Sequence, residues 1–150
     1  QYYSFMDYQK EFQSWLDSTL LKSLSKETII DHSYPDIFFW KEPDGWTKEA
    51  SRELIHRNYD LIKSRLARLS QEKADYFISM DGLNPLIYEA DEFDIYYNKC
   101  GEPKEWEYPV LSVTINHKTE KDFVQDNFEF LRTADGYKLI SVTIRNGNLK

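Results

Sequence analysis

Apolar side chains recur at three- and four-residue steps near the start of the chain, the spacing of one helix face. The residues that follow this spacing are Phe5, Tyr8, Phe12, Trp15, Leu16 and Leu20. The pattern predicts a first helix over residues 6–24. Ser25 is a suitable N-cap for a short second helix over residues 26–31.

A second long helical pattern follows an aromatic stretch, residues 34–46, which contains the turn signal Pro43-Asp44-Gly45. Thr47 is a suitable N-cap, and apolar residues continue at helical spacing to Ser70. The sequence therefore predicts a helix over residues 47–70.

The second half of the chain changes to alternating apolar and polar residues, which is the period of a strand. Strands are predicted over 93–98, 106–118, 123–133 and 137–145. Within these strands, two sets of residues are each expected on one face: Leu111, Val113 and Ile115, and Ile140, Val142 and Ile144. The pair Asp135-Gly136 predicts a tight hairpin turn, with Gly136 at positive φ.

Helices come first along the chain and consecutive strands come last, which predicts the α+β class. We expect N-terminal helices packed on one face of a curved antiparallel β-sheet. At 150 residues, a single domain over 1–150 is the natural size and can bury a core without disulfides or metals.

This order of elements resembles the nuclear transport factor 2-like superfamily. The resemblance rests on the helices followed by hairpins that end in residues 128–143, FEFLRTADGYKLISVT. Residues 74–81, ADYFISMD, followed by Asn84-Pro85, are similar to a segment of uncharacterised bacterial members, many of them secreted. The resemblance implies a cone-shaped α+β fold. Members include isomerases, dehydratases, carriers and binding modules, so the fold does not decide the function.

Charge and hydropathy exclude several classes of partner. The net charge is −7, which disfavours nucleic acid and anionic membranes, and no apolar run approaches the length of a membrane-spanning helix. Cys100 is the only cysteine, so neither an internal disulfide nor a cysteine zinc site is expected.

The first residue is Gln1, as a removed leader or a trimmed boundary would leave it. We expect a periplasmic or secreted protein, with a cytoplasmic location as the alternative.

Few residues suggest catalysis, and the sequence predicts no metal and no cofactor. Glu53 and His56 have Glu-x-x-His spacing, but no second copy exists, and Asp31-His32 is an adjacent acid–base pair. Asp75 and Asp81 lie among apolar residues that would raise a carboxylate pKa towards that of a useful base. Turn chemistry is the favoured explanation, because Asp81 precedes a glycine and Asn84 precedes a proline.

The strongest anomaly is an acidic segment, residues 89–107, with seven carboxylates against two lysines. Aromatic residues alternate with these charges, as at protein interfaces where rings supply buried area and charges steer the partner. The predicted partner-binding residues are Glu89, Asp91, Glu92, Asp94, Tyr96, Glu102, Glu105, Trp106 and Glu107. A solvated acidic surface that only aids solubility is the simpler explanation.

Three functions follow as hypotheses. The first is a non-enzymatic binding protein that engages a basic protein through the acidic segment and a sheet face, in the manner of bacterial immunity proteins that block a toxin. The second is a small-molecule pocket protein, a carrier or a lyase/isomerase-like enzyme with Asp81 or Asp75 as base. The third is an accessory domain of an envelope complex. A homodimer formed through the sheet is compatible with the first hypothesis.

Overall fold

The computed structural model describes residues 4–41, 43–70, 75–81, 109–118, 121, 123–145 and 149–150. In these ranges helices pack on one face of a six-stranded sheet. The helices are α1 (Phe5–Trp15), α2 (Lys26–Asp31), α3 (Ser51–Arg57) and α4 (Tyr59–Leu66). The strands are β1 (Ser33–Lys41), β2 (Gly45–Ala50), β3 (Tyr76–Asp81), β4 (Val110–Lys118), β5 (Phe123–Thr133) and β6 (Gly136–Thr143).

The strand order is β2-β1-β6-β5-β4-β3. The predicted α+β class, with N-terminal helices against a sheet, is confirmed. The sheet is mixed rather than wholly antiparallel, because β1 runs parallel to β6 while the other neighbouring pairs are antiparallel. Strands β1 and β6 are far apart in sequence, so the chain is long enough for a parallel crossover.

The first helix is held at its start by a capping box. Ser4 Oγ accepts a hydrogen bond from the Asp7 amide at 3.2 Å, and Asp7 Oδ2 accepts one from the Ser4 amide at 2.9 Å. The α-helix ends at Trp15, and a π-helical segment, Leu16–Leu20, continues it. The prediction of one helix to residue 24 was therefore too long. Of the apolar face that it identified, Tyr8, Phe12, Leu16 and Leu20 are buried, Trp15 is partly buried and Phe5 is 40% exposed.

The prediction of a helix from Thr47 was wrong for its first turn. Residues 45–50 form β2, and Thr47 lies opposite Phe39 of β1, to whose carbonyl it donates a hydrogen bond at 3.3 Å. Trp40 and Trp46 face each other across this hairpin with ring centroids 5.6 Å apart. Aromatic and β-branched residues favour such cross-strand pairs, and this packing overrides the helical spacing.

Asn58 divides the remaining helical residues into α3 and α4. Its backbone leaves the helical region, at φ −117° and ψ 22°. Its side-chain amide donates to the carbonyls of Leu54 and Lys150, both at 3.0 Å, and its Oδ1 accepts from the Lys150 amide at 2.6 Å. An asparagine that bonds main-chain groups in this way competes with the helical ladder.

The core lies between the helices and the sheet. Leu111, Val113 and Ile115 face it together, as predicted. Of the other predicted face, Val142 and Ile144 lie in the core, as predicted, but Ile140 does not. A bulge places Phe130 opposite Leu139 and Phe128 opposite Val142. The residues of β6 in the helix-side core cluster are therefore Tyr137, Leu139 and Val142. Ile140 is buried but lies outside this cluster, since the bulge resets the alternation.

The remaining predictions are partly covered by the described ranges. Gly136 has φ +103°, as expected for the hairpin between β5 and β6. Residues 76–81 form β3, a strand that was not predicted, since only a turn was expected at Asp81. The predicted strand over 93–98 lies outside the described residues, as does the start of the strand predicted from 106. None of the described helices has the length and apolarity needed to span a bilayer.

Candidate functional site

The predicted partner-binding residues lie between β3 and β4, in residues 82–108, outside the described part of the chain. The same holds for Cys100. The structure does describe the two ends of this segment. Asp81, the last residue of β3, pairs with Val110, the first residue of β4. The chain therefore leaves β3 and enters β4 at the same end of the β3–β4 pair.

The proposed catalytic bases are only partly described. Asp75 precedes β3, and its side chain is exposed rather than enclosed by apolar residues. It accepts a hydrogen bond from the Asn116 amide at 3.0 Å, and its carbonyl accepts one from the Asn116 backbone at 2.8 Å. This position tethers β3 to β4 at the surface, which does not suit a buried base. For Asp81, the structure gives the backbone pairing alone.

The other acid–base pairs do not converge. Glu53 and His56 are both exposed on α3. Asp31 is exposed, whereas His32 is half-buried with its ring edge-on to Trp15 at 5.5 Å. Burial lowers the pKa of His32, and the nearby Lys138 lowers it further. No group of three or more metal-ligating side chains occurs among the described residues.

The sheet face turned away from the helices carries a row of residues that crosses four strands. Phe77 of β3 lies opposite Thr114 of β4, which lies opposite Asn127 of β5, which lies opposite Thr143 of β6. Alternation along each strand places these residues on the outer face, since their neighbours belong to the core. Phe77 is 50% exposed at the β3 edge. This outer row is largely uncharged and polar.

A groove of about 590 Å³ opens over part of this row. The residues that line it are Thr114, Val124, Gln125, Asn127, Thr143 and Arg145. The Asn127 amide nitrogen donates to Ser112 Oγ at 2.7 Å and to Thr114 Oγ1 at 3.2 Å. These bonds fix the orientation of its side chain and leave Oδ1 as an acceptor.

The charged group of the groove is Arg145, which is exposed. Its guanidinium carbon lies 5.0 Å from the centre of the Trp40 ring, a cation–π contact. Trp40 is in turn packed edge-on against Trp46. No salt bridge from Arg145 to a carboxylate is present within the described ranges. The indole pair therefore helps to hold a cation beside hydroxyl and amide groups.

A second polar cluster is buried on the helix side of the sheet. The Asp126 carboxylate is fully buried, and its Oδ2 lies 2.5 Å from His117 Nε2 and 3.1 Å from Arg65 Nε. The Arg145 backbone amide donates to Asp126 Oδ1 at 3.2 Å. Arg68 Nη1 contacts His117 Nδ1, and Arg68 Nη2 donates to the Asn116 carbonyl at 3.3 Å.

The hydrogen bonds of this buried cluster indicate the tautomer of His117. An arginine side chain can only donate, so His117 Nδ1 accepts from Arg68 and the proton resides on Nε2, directed at Asp126. Both ring nitrogens thus have partners within the protein. In this arrangement the cluster binds α4 and the turn after it, Ala67–Ser70, to strands β4 and β5. It has no nitrogen left over for general-base chemistry.

Sequence reasoning missed both arrangements. Asp126, Phe128 and Phe130 occupy alternate positions of β5. This spacing could have predicted a carboxylate on the same buried strand face as the two phenylalanines. Arg65, the partner of Asp126, comes from α4, and Arg68, which contacts His117, comes from the turn after α4. No local pattern identifies contacts between elements so far apart in the chain. The outer row likewise depends on strand register, which the sequence does not specify across four strands.

The sequence matches no protein-family model and no curated protein. Among solved structures, the chain is similar to designed proteins named "Rd1NTF2_05 with long sheet" and "Rd1NTF2_04 with long sheet". The first is 10% identical, with a TM-score of 0.45 over 92% of this chain and 95% of that one. The second is 8% identical, with a TM-score of 0.37 over 93% and 98%. We draw neither fold nor function from these matches.

Proposed function

We propose that this protein is a non-enzymatic binding protein that engages a basic protein partner through the acidic segment 89–107 and the adjacent outer face of the sheet. A toxin inhibitor of the immunity-protein type, acting in the bacterial periplasm or outside the cell, is the specific form of this proposal.

The observation that carries the proposal is a concentration of charge in one connection of the chain, the one between β3 and β4. The acidic segment has a net charge of −5 of the total of −7, and both ends of the connection that contains it are attached at the Asp81–Val110 pair. Concentrated charge accelerates encounter with a partner of opposite sign more than the same charge spread evenly.

Phe77 supplies a second, independent support. It is a large aromatic residue, 50% exposed, on the strand that leads directly into the acidic connection. Exposed aromatic rings beside charged residues are typical of the energetically dominant positions of interfaces. The uncharged outer row beside Phe77 offers hydrogen-bonding groups without a charge that would repel a cationic partner, Arg145 excepted.

The test compares two triple variants that change the net charge by the same amount. Asp91, Glu92 and Asp94 are replaced by Lys in one, and the exposed Asp17, Asp36 and Glu53 in the other. A basic partner is first isolated by affinity capture at low salt, and its association rate with each purified variant is then measured against salt concentration.

The proposal expects the first variant to associate at least about tenfold more slowly than the wild type and with little salt dependence. The control variant should keep most of the wild-type association rate and most of its salt dependence. Equal slowing in the two variants would assign the effect to net charge alone and contradict the proposal. Phe77→Ala should raise the dissociation rate, and Met6→Ala, at a residue 63% exposed on α1, should not.

The alternative function is a small-molecule carrier or a lyase/isomerase-like enzyme. The observation that favours it is the groove of about 590 Å³ on the outer sheet face, a volume usual for small-molecule sites. Asp75 is exposed and hydrogen-bonded to Asn116, so Asp81 is the better of the two proposed bases. Native mass spectrometry of the full chain tests this alternative, which expects a stoichiometric small molecule that Asp81→Asn releases or leaves unconverted.

A further inference from the structure

The groove on the outer sheet face has the volume of a small-molecule site and a polar lining. Its volume of about 590 Å³ lies within the range usual for such sites. Two threonine hydroxyls and two side-chain amides line it, together with one guanidinium. Such groups both donate and accept hydrogen bonds, so they match a ligand that carries several hydroxyl groups.

Arg145 defines the charge of the ligand. Guanidinium groups bind carboxylates and phosphates through paired, parallel hydrogen bonds. Within the described residues Arg145 has no carboxylate partner, and its contact with Trp40 at 5.0 Å restricts its orientation. A side chain that is already oriented loses less conformational entropy when it binds.

The charge of the whole protein selects between the two anions. A net charge of −7 repels anions in proportion to their charge, and a single guanidinium balances one negative charge. A carboxylate monoanion is therefore favoured over a phosphate, which carries close to two charges at neutral pH.

We infer that this groove binds a hydroxylated monocarboxylate, the chemistry of a sugar acid. Arg145 pairs with the carboxylate, while Thr114, Thr143, Gln125 and Asn127 bond the hydroxyl groups. This site shares Thr114, Asn127 and Thr143 of the outer row with the proposed partner surface. The two are tested independently, because ligand binding depends on Arg145 and uses none of the residues of the acidic segment.

The experiment titrates the full chain with three probes, glucuronate, galacturonate and N-acetylneuraminate, by calorimetry and by the fluorescence of its tryptophans. Glucose, which lacks the carboxylate, and acetate, which lacks the hydroxyl groups, are the reference ligands. Arg145→Gln removes the cation, and Arg52→Gln is the matched control at an exposed arginine of α3, whose side chain is 66% exposed. Unfolding curves establish that both variants fold.

We expect at least one probe to bind with a dissociation constant in the millimolar range, at least about tenfold more tightly than glucose or acetate. Arg145→Gln should weaken that binding by about tenfold or more, and Arg52→Gln should leave it unchanged. The inference is overturned if no probe binds, if glucose binds as well as the acids, or if both arginine variants behave alike. Because the acidic segment is untouched, failure here leaves the proposed partner binding standing, and the converse also holds.

Discussion

Nε2 of His117 lies 2.5 Å from Oδ2 of Asp126, and Arg65 of α4 reaches the same oxygen at 3.1 Å. A single, fully buried carboxylate thus joins two neighbouring strands to a helix that is separated from them by the whole acidic connection. The Asp126 carboxylate has both partners only when α4, β4 and β5 are all in place. This buried charge therefore helps to fix the position of α4 on the sheet.

Asp126→Asn should therefore be strongly destabilising. Removing the carboxylate charge leaves the largely buried Arg65 guanidinium uncompensated, and breaking a buried ion pair in this way costs about 3–5 kcal/mol. Urea unfolding at neutral pH measures this loss. Asp75→Asn is the control, because that carboxylate is exposed and its loss should change the free energy of unfolding by about 0.5 kcal/mol or less. Similar effects of the two substitutions would mean that the cluster does not hold α4.

Glu11 should contribute to acid sensitivity. Its carboxylate accepts hydrogen bonds from Arg132 Nε and from the Tyr137 hydroxyl, both at 2.6 Å, and these partners lower its pKa below the usual 4.5. A lowered folded-state pKa gives stability that is present above pH 4.5 and is lost as the pH falls through the folded value.

Replacing Glu11 by Gln should remove that loss, so the free energy of unfolding of the variant changes less between pH 6 and pH 3 than that of the wild type. The pair is a third exposed, so the difference at neutral pH should be only about 1 kcal/mol. Urea unfolding across this pH series measures it. A parallel pH dependence of the two proteins would rule out Glu11 as the titrating group.

His32 should act in a different pH window. Burial, and then Lys138, lower its pKa from 6.5, so the folded state binds this proton less well than the unfolded state. Stability should fall as the pH drops below 6.5 and level off below the folded-state pKa. His32→Gln should flatten the unfolding free energy between pH 7 and pH 5, whereas His56→Gln, at an exposed position, should not. Equal profiles for both variants would contradict the assignment.

The fold class could be predicted because each strand after residue 110 has its own alternation of apolar and polar residues. The shared core face of Leu111, Val113 and Ile115 was predicted in this way and is confirmed. The hairpin β1–β2 was missed because Thr47 has the residue type of a helix cap. Its pairing with Phe39 depends on a cross-strand contact that local spacing does not report.

The candidate sites were less predictable than the fold. The acidic segment was identified from composition alone, and partner binding by it stays a prediction. The buried Asp126 cluster and the Arg145 groove each combine residues from elements far apart in the chain, so their chemistry appears only once the strand register is fixed. The bulge in β6 shows the same limit, since one extra residue moved Leu139 to the core face.

The two faces of β6 should differ in their contribution to stability. Val142 is fully buried in the helix-side core, whereas the adjacent Thr143 belongs to the outer row. Val142→Ala should cost about 1–3 kcal/mol through lost burial and a residual cavity. Thr143→Ala should cost less, because its hydroxyl lies at the groove. Urea unfolding of the two variants compares them, and a larger loss for Thr143→Ala would place the strand in the wrong register.

Gly136 and Gly45 form a matched pair that separates backbone strain from a side-chain clash. Both have positive φ, +103° and +83°, so alanine at either position adopts a disfavoured conformation at a cost of about 1–3 kcal/mol. A Cβ at Gly136 would also lie 3.1 Å from Nε1 of Trp15, whereas at Gly45 the nearest atom, in Trp40, is 3.9 Å away. Trp15 is packed against Phe12 and Phe130, so it cannot shift freely. Gly136→Ala should therefore destabilise more than Gly45→Ala in urea and should alter the tryptophan emission of the folded protein. If the order of stability were reversed, the hairpin at Gly136 would not be packed against α1 as the structure places it.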